Sequence, residues 1–189
     1  MLTPDAFKAL FHAAEPFNKY LARAKPNEKP GWEAFAAKVH LTPAQTALIG
    51  TFTRRMPVLV VSGTWCGDCV QQCPIIEAIA CANPLIETRY LERDAHLQAI
   101  EGLKICGGNR VPVCVWLNED FEFVHMLGDR TLARYRANAA KQLGPSCPLP
   151  GAPVPPDELA ATIADWVEEF ERVALLLRLS AKLRQRHGD

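Results

Sequence analysis

The sequence predicts an α/β protein: a central mixed sheet of about four strands flanked by helices, with further helices before and after it. Three observations carry this. "MPVLVVSG", residues 56–63, is a continuous Val-rich run closed by Ser and Gly, as in a strand buried on both faces. From residue 43 onward, helix-period and strand-period segments alternate in the order αβαβαββα. The last two strand candidates, "VPVCVWL" and "FEFVHML", are separated only by "NED" and read as an antiparallel hairpin.

Each element has its own signal. "TPDAFKALFHAA" opens with Thr3 and Pro4, suited to a helix start, and carries Phe7, Leu10 and Phe11 at helical spacing. "KPNEKPG" breaks that pattern, and Trp32, Phe35 and Val39 indicate a short second helix. "TPAQTALIGTFTRR" indicates a third, with Thr42 as N-cap and Pro43 at its first position. After the Val-rich strand, residues 66–81 return to helical spacing through Ile75, Ile76 and Ile79. "PLIETRYL" is a strand, "HLQAIEGLKI" a helix, "CGGNR" a turn and "TLARYRANAAKQL" a helix. Strands separated by helices call for parallel crossovers.

The Pro-rich stretch "GPSCPLPGAPVPPDE" reads as a stiff, extended linker. Residues 157–186 read as one long amphipathic helix, with Leu159, Ile163, Trp166, Val167, Phe170, Val173, Leu176 and Leu177 on one stripe. That stripe fits core packing or a homodimer interface. Four units result: a helical N-terminal extension (1–42), the α/β domain (43–143), the linker (144–156) and the C-terminal helix (157–189).

With 49% hydrophobic and 22% charged residues, the chain of 189 residues falls among globular rather than disordered proteins. Its 21 basic and 21 acidic residues cancel, which argues against a nucleic-acid partner or an anionic membrane surface. The basic "KLRQRH" at 182–187 reads as a solvated helix end. "MLTPDAFKALFHAAEPF" has neither the charged start nor the unbroken apolar core of a signal peptide, so a cytoplasmic location is expected. There the seven cysteines should be mostly thiols, and an odd number cannot all pair within one chain.

Against that background "WCGDCVQQCP" stands out. Cys66 and Cys69 are two residues apart, just past a buried strand and at the start of a helix. Unpaired N–H groups and the partial positive charge of a helix start favour thiolate over thiol. The spacing lets the sulfurs reach bonding distance, with Cys66 the more exposed attacker and Cys69 the thiol that resolves the mixed disulfide. Cys73, one turn on, fits a buried small side chain, a third redox thiol or a metal ligand. A zinc site needs about four ligands, and no second close pair or clustered histidine supplies them; His96 and His125 read as structural or solvated. Cu(I) would suit soft thiolates, but no methionine cluster accompanies them. No metal is therefore expected. Cys81 and Cys114 read as buried, Cys106 as a turn residue on the site's side, and Cys147 as exposed in the linker.

The combination of "WCGDC" after a Val-rich strand, Pro74 five residues beyond Cys69, and "RVPV" before another strand resembles the thioredoxin superfamily over roughly residues 43–143. The resemblance implies a thioredoxin-like fold and a thiol–disulfide oxidoreductase reducing protein disulfides through Cys66 and Cys69. No bound cofactor is implied; electrons would come from a separate reductase or a small thiol. It also implies a docking surface of Trp65, Gly67, Asp68, Val111, Pro112 and Gly128. Pro112 would be cis, and Val111 would offer its backbone to an extended substrate segment. From residues alone, a trans proline at a strand's first residue is the preferred reading.

Three departures matter. Val60 stands where the family carries a buried aspartate, Tyr90 where it carries a nearby lysine, and Gly67-Asp68 replaces Gly-Pro. Asp68 reads either as a solvated carboxylate or as a local anion. At ~6 Å an anion opposes a thiolate by roughly 1 kcal/mol when solvated and about 3 kcal/mol at an effective dielectric of ~20. A helix start contributes about 0.3–1 kcal/mol in the other direction. The expectation is that Asp68 destabilises the Cys66 thiolate and makes the pair a reductant. The missing acid and the added helices also fit a second reading, a noncatalytic thioredoxin-fold module that binds a partner or senses redox state.

Overall fold

The computed structural model describes residues 2–143 and 153–189. Local capping chemistry sets the N-terminal helices. Thr3 accepts from the Ala6 N–H and starts α1 (Pro4–Ala13), with Pro4 in its first turn. Thr42 and Gln45 form a reciprocal capping box at the start of α4 (Pro43–Gly50). Between them lie α2 (Phe17–Ala22), which the sequence pattern did not reveal, and α3 (Lys29–Ala36). With only six residues, α2 is too short to show a helical period.

The sheet comprises β1 (Met56–Ser62), β2 (Ile86–Glu92), β3 (Val113–Leu117) and β4 (Phe123–Gly128) in the order β2-β1-β3-β4. Every residue of β1 is buried, which explains its unbroken apolar run. β2 pairs with β1 in parallel through the crossover helix α5 (Gly67–Cys81). β3 lies on the other side of β1 and pairs antiparallel to it, contrary to the parallel crossover expected there. The reason is the connection: residues 96–105, expected as a helix, form turns and a single 3₁₀ turn at Glu101–Leu103. β3 and β4 close the sheet as a hairpin with a bulge at Trp116/Leu117.

Helices cover both faces. On one, α1 places Phe11 against Phe121 and beneath the Arg89 guanidinium. On the other lie α5 and α7 (Glu158–Leu179), where Trp166 and Phe170 of α7 pack on Trp116 of β3. Most of the apolar stripe is thereby used within the chain, whereas Leu176 faces solvent. α6 (Leu132–Leu143) follows the hairpin.

The C-terminal segment is two helices rather than one. At Ser180 the backbone turns extended, and the Ser180 hydroxyl accepts from the Leu183 N–H to start α8 (Ala181–His187). The basic tail is not merely solvated. Lys182, Arg186 and His187 pair with Glu119, Asp120 and Glu122 at the hairpin turn. Among the described residues no helix is long and apolar enough to cross a membrane.

Candidate active site

Cys66 is the N-cap of α5, in extended conformation, and its side chain makes no capping bond. The partly exposed thiol points across the site, where Sγ donates to the Val111 carbonyl at 3.6 Å. The Val111–Pro112 peptide bond is cis, as is Gly128–Asp129. Cys69 lies one turn deeper and is fully buried; both cysteines are free thiols. The neighbouring Cys69 thiol, with burial, holds the Cys66 pKa well above the usual thiol range. Burial does the same to Cys69.

Two glycines shape this site by what they lack. A Cβ on Gly128 would stand 2.7 Å from the Pro112 carbonyl oxygen and 3.1 Å from Val113 Cα, so only glycine lets β4 approach the proline loop this closely. A Cβ on Gly63 would meet the Trp65 indole at 2.7 Å. Trp65 therefore folds back over Gly63, half exposed, with the Arg93 guanidinium 4.5 Å from its ring centroid. Arg93 also donates to the Asn109 carbonyl at 3.0 Å, tying the loop before Val111 to the end of β2.

The family model described as Thioredoxin matches residues 14–135. The chain belongs to the thioredoxin family. Among solved structures it is similar to PA1234 from Pseudomonas aeruginosa, a protein of unknown function, at 21% identity and a TM-score of 0.63, covering 89% of this chain and 95% of that one. An HIV epitope scaffold is similar at 19% identity and the same TM-score of 0.63, covering 92% and 98%. At these identities the likeness concerns the fold. No curated protein matches the sequence.

Within this thioredoxin-family site, Asp68 departs from both sequence expectations. It is neither freely solvated nor an isolated anion. Arg130 grips it through Nε at 3.0 Å and Nη2 at 2.5 Å, and Arg134 reaches it at 2.8 Å. Arg130 also pairs with Asp129, and Arg134 with Glu158. The arginines oppose the acid's field, so the reluctance of Cys66 to ionise has Cys69 and burial as its leading causes. Gln72, fully buried on α5, fastens this cluster to the helix. Its amide donates to the Asp129 carbonyl at 2.8 Å and accepts from the Thr131 N–H at 3.3 Å.

The other thiols separate by depth. Cys73 is fully buried, with Sγ 3.6 Å from the Ser62 hydroxyl, and Cys114 is buried in β3. Cys81 is exposed at the end of α5, contrary to expectation, because the helix leaves the core there. Cys106 is exposed with φ 51°, and Cys147 lies outside the described residues. His96 sits in a turn, with Nδ1 2.9 Å from the Glu92 carbonyl, and His125 pairs with Glu169. Among the described residues no group of three His, Cys, Asp or Glu side chains is placed to hold a metal ion.

The structure brings Cys66, Cys69, Val111, Pro112 and Gly128 together at one site; Trp65, Gly67 and Asp68 flank it at the start of α5. Sequence reasoning missed Gln72, Arg93, Arg130 and Arg134. A glutamine one turn past Cys69 on an otherwise apolar helix face was a legible signal. The arginines gave none, because their partners lie far away in the chain.

Proposed function

We propose that the chain is a thiol–disulfide oxidoreductase that reduces protein disulfides through Cys66 and Cys69. The observation that carries this reading is the arrangement of the two free thiols, with Cys66 at a helix N-cap facing the Val111 carbonyl and Cys69 one turn beneath. Cys66, as thiolate, attacks a substrate sulfur; an S–S bond forms to Cys66 and the first substrate thiolate leaves. Cys69 then attacks Cys66 Sγ, the second substrate thiolate leaves, and the pair has given up two electrons as a disulfide. An extended substrate segment lies along Val111 and Pro112, with Trp65 and Gly128 bounding the groove.

Proximity and burial keep both cysteines as thiols, so the reduced pair gains none of the thiolate stabilisation that marks a strong oxidant, which supports reading it as an electron donor. A separate reductase or a small thiol, in the cytoplasm, returns the electrons. The test is reduction of a model protein disulfide by wild type, Cys66→Ser and Cys69→Ser. The reading expects turnover by wild type, none by Cys66→Ser, and a trapped mixed disulfide with Cys69→Ser. A wild type inert with every donor would replace the enzyme with a noncatalytic binding or redox-sensing module.

A further inference from the structure

Three carboxylates flank the site, and arginines engage all three. Asp68 is occupied on both oxygens, Oδ1 by Arg130 and Arg134 and Oδ2 by Arg130. Asp129, only 6% exposed, accepts from Arg130 Nη1 at 2.9 Å on Oδ2 and from the Tyr135 hydroxyl on Oδ1. Asp94 accepts from Arg93 Nε and Nη2 at 2.9 and 2.7 Å, and Arg93 Nη1 goes to the Asn109 carbonyl. Arg93 and Arg130 thus each commit all three of their guanidinium nitrogens.

Arg110 does not. Its side chain is 42% exposed, and its ion-pair partner, Asp129 Oδ2, stands 3.6 Å from Nη1, too far for a hydrogen bond. Among the described residues Arg110 makes no side-chain hydrogen bond. Asp129 divides its charge between two arginines, and the nearer Arg130 takes the larger share. Arg110 also immediately precedes Val111, whose carbonyl faces Cys66 Sγ at 3.6 Å. An exposed, permanently charged fork with donors to spare therefore borders the place where the attacking thiol meets its substrate.

We propose that Arg110 is a specificity-determining residue that selects disulfides whose cysteine is flanked by aspartate or glutamate. The proposal rests on the dithiol reading above. An extended segment running past Val111 carries the neighbours of its cysteine along the backbone that Arg110 begins. A carboxylate there takes the unused guanidinium donors, in the paired geometry that suits an arginine fork. The local acids do not repel it, since Asp68, Asp94 and Asp129 are held by their own arginines. A lysine or arginine in the same place meets the Arg110 charge and is rejected.

The test uses three peptides, Gly-Asp-Cys-Asp-Gly, Gly-Asn-Cys-Asn-Gly and Gly-Lys-Cys-Lys-Gly, with blocked ends and the cysteine held as a mixed disulfide with thionitrobenzoate. The protein carries serine in place of Cys81, Cys106 and Cys147, and the second-order rate of thionitrobenzoate release reports attack by Cys66. At low salt the Asp peptide should react about two- to fivefold faster than the Asn peptide, and the Lys peptide slower than both. Salt near ~1 M should erase the difference. Arg110→Gln should bring the Asp-to-Asn ratio to unity, Arg110→Glu should reverse it, and Arg110→Lys, which keeps the charge, should keep a preference. Arg172→Gln, an equal loss of charge on α7, should leave the ratio at the wild-type value. Each ratio is internal to one variant, so a change in stability or thiol reactivity cancels. A wild-type ratio of one at low salt, or a ratio that both Arg110→Gln and Arg110→Glu leave unchanged, would overturn selection by Arg110 alone. No release from any peptide, or release that persists in Cys66→Ser, would overturn the dithiol reading together with it.

Discussion

Gly128→Ala is a single-methyl test of how the site is built. The added Cβ meets backbone on two sides: the Pro112 carbonyl oxygen at 2.7 Å and Val113 Cα at 3.1 Å. The third neighbour, Ile105 Cδ1 at 3.0 Å, is a side-chain end that can swing away. Relief must therefore come from moving β4 away from β3, where Gly128 pairs with Val113. Forcing such a shift in a packed sheet costs about 1–3 kcal/mol. At roughly 2–4 °C per kcal/mol for a chain of this size, melting should fall by about 2–12 °C. The displaced carbonyl adjoins Val111, whose own carbonyl faces Cys66 at 3.6 Å, so alkylation of Cys66 should change as well. Thermal melts and timed iodoacetamide labelling read the two effects. An alanine variant with wild-type melting and wild-type labelling would refute the claim that glycine is needed for this approach.

Three further outcomes follow from the same contacts. Removing Asp68 leaves Arg130 and Arg134 less compensated, so Asp68→Asn should speed Cys66 alkylation by up to about tenfold, the equivalent of ~1.4 kcal/mol of Coulomb energy, while Arg130→Gln should slow it. Arg186 and Lys182 depress the Asp120 pKa from 3.8 to about 2; the clamp of α8 on the hairpin should be complete above about pH 4 and released as the pH falls towards 2, a window that Asp120→Ala removes and that proteolysis of α8 would register. Trp166→Ala, which empties a fully buried site against Trp116, should cost about 3–5 kcal/mol in urea unfolding, and a loss below ~1 kcal/mol would show that α7 is not integral to the core.

The parts of the fold legible in the sequence are those set by local periodicity and capping. The Val-rich β1, the Thr42–Gln45 box and the Cys66-to-Cys81 helix all announce themselves within a few residues. What stayed hidden depends on meetings between distant segments. Residues 96–105 have helical spacing, yet His96 takes the Glu92 carbonyl and the chain stays in turns. Asp68 illustrates the same limit within the site. A charge can be read from one letter, but its compensation comes from arginines 62 and 66 residues away. Ser180 is the opposite case, since serine is a good N-cap and its local signal could have divided the final helix.

β2 is an edge strand, and its Tyr90 backbone exchanges two hydrogen bonds with Glu15, at 2.7 and 3.0 Å. That short bridge occupies backbone groups that would otherwise be open to a foreign strand. A chain seeking to extend the sheet from that side must first displace the segment between α1 and α2. The N-terminal helices thus do more than add bulk: they close one border of the sheet to uninvited strands.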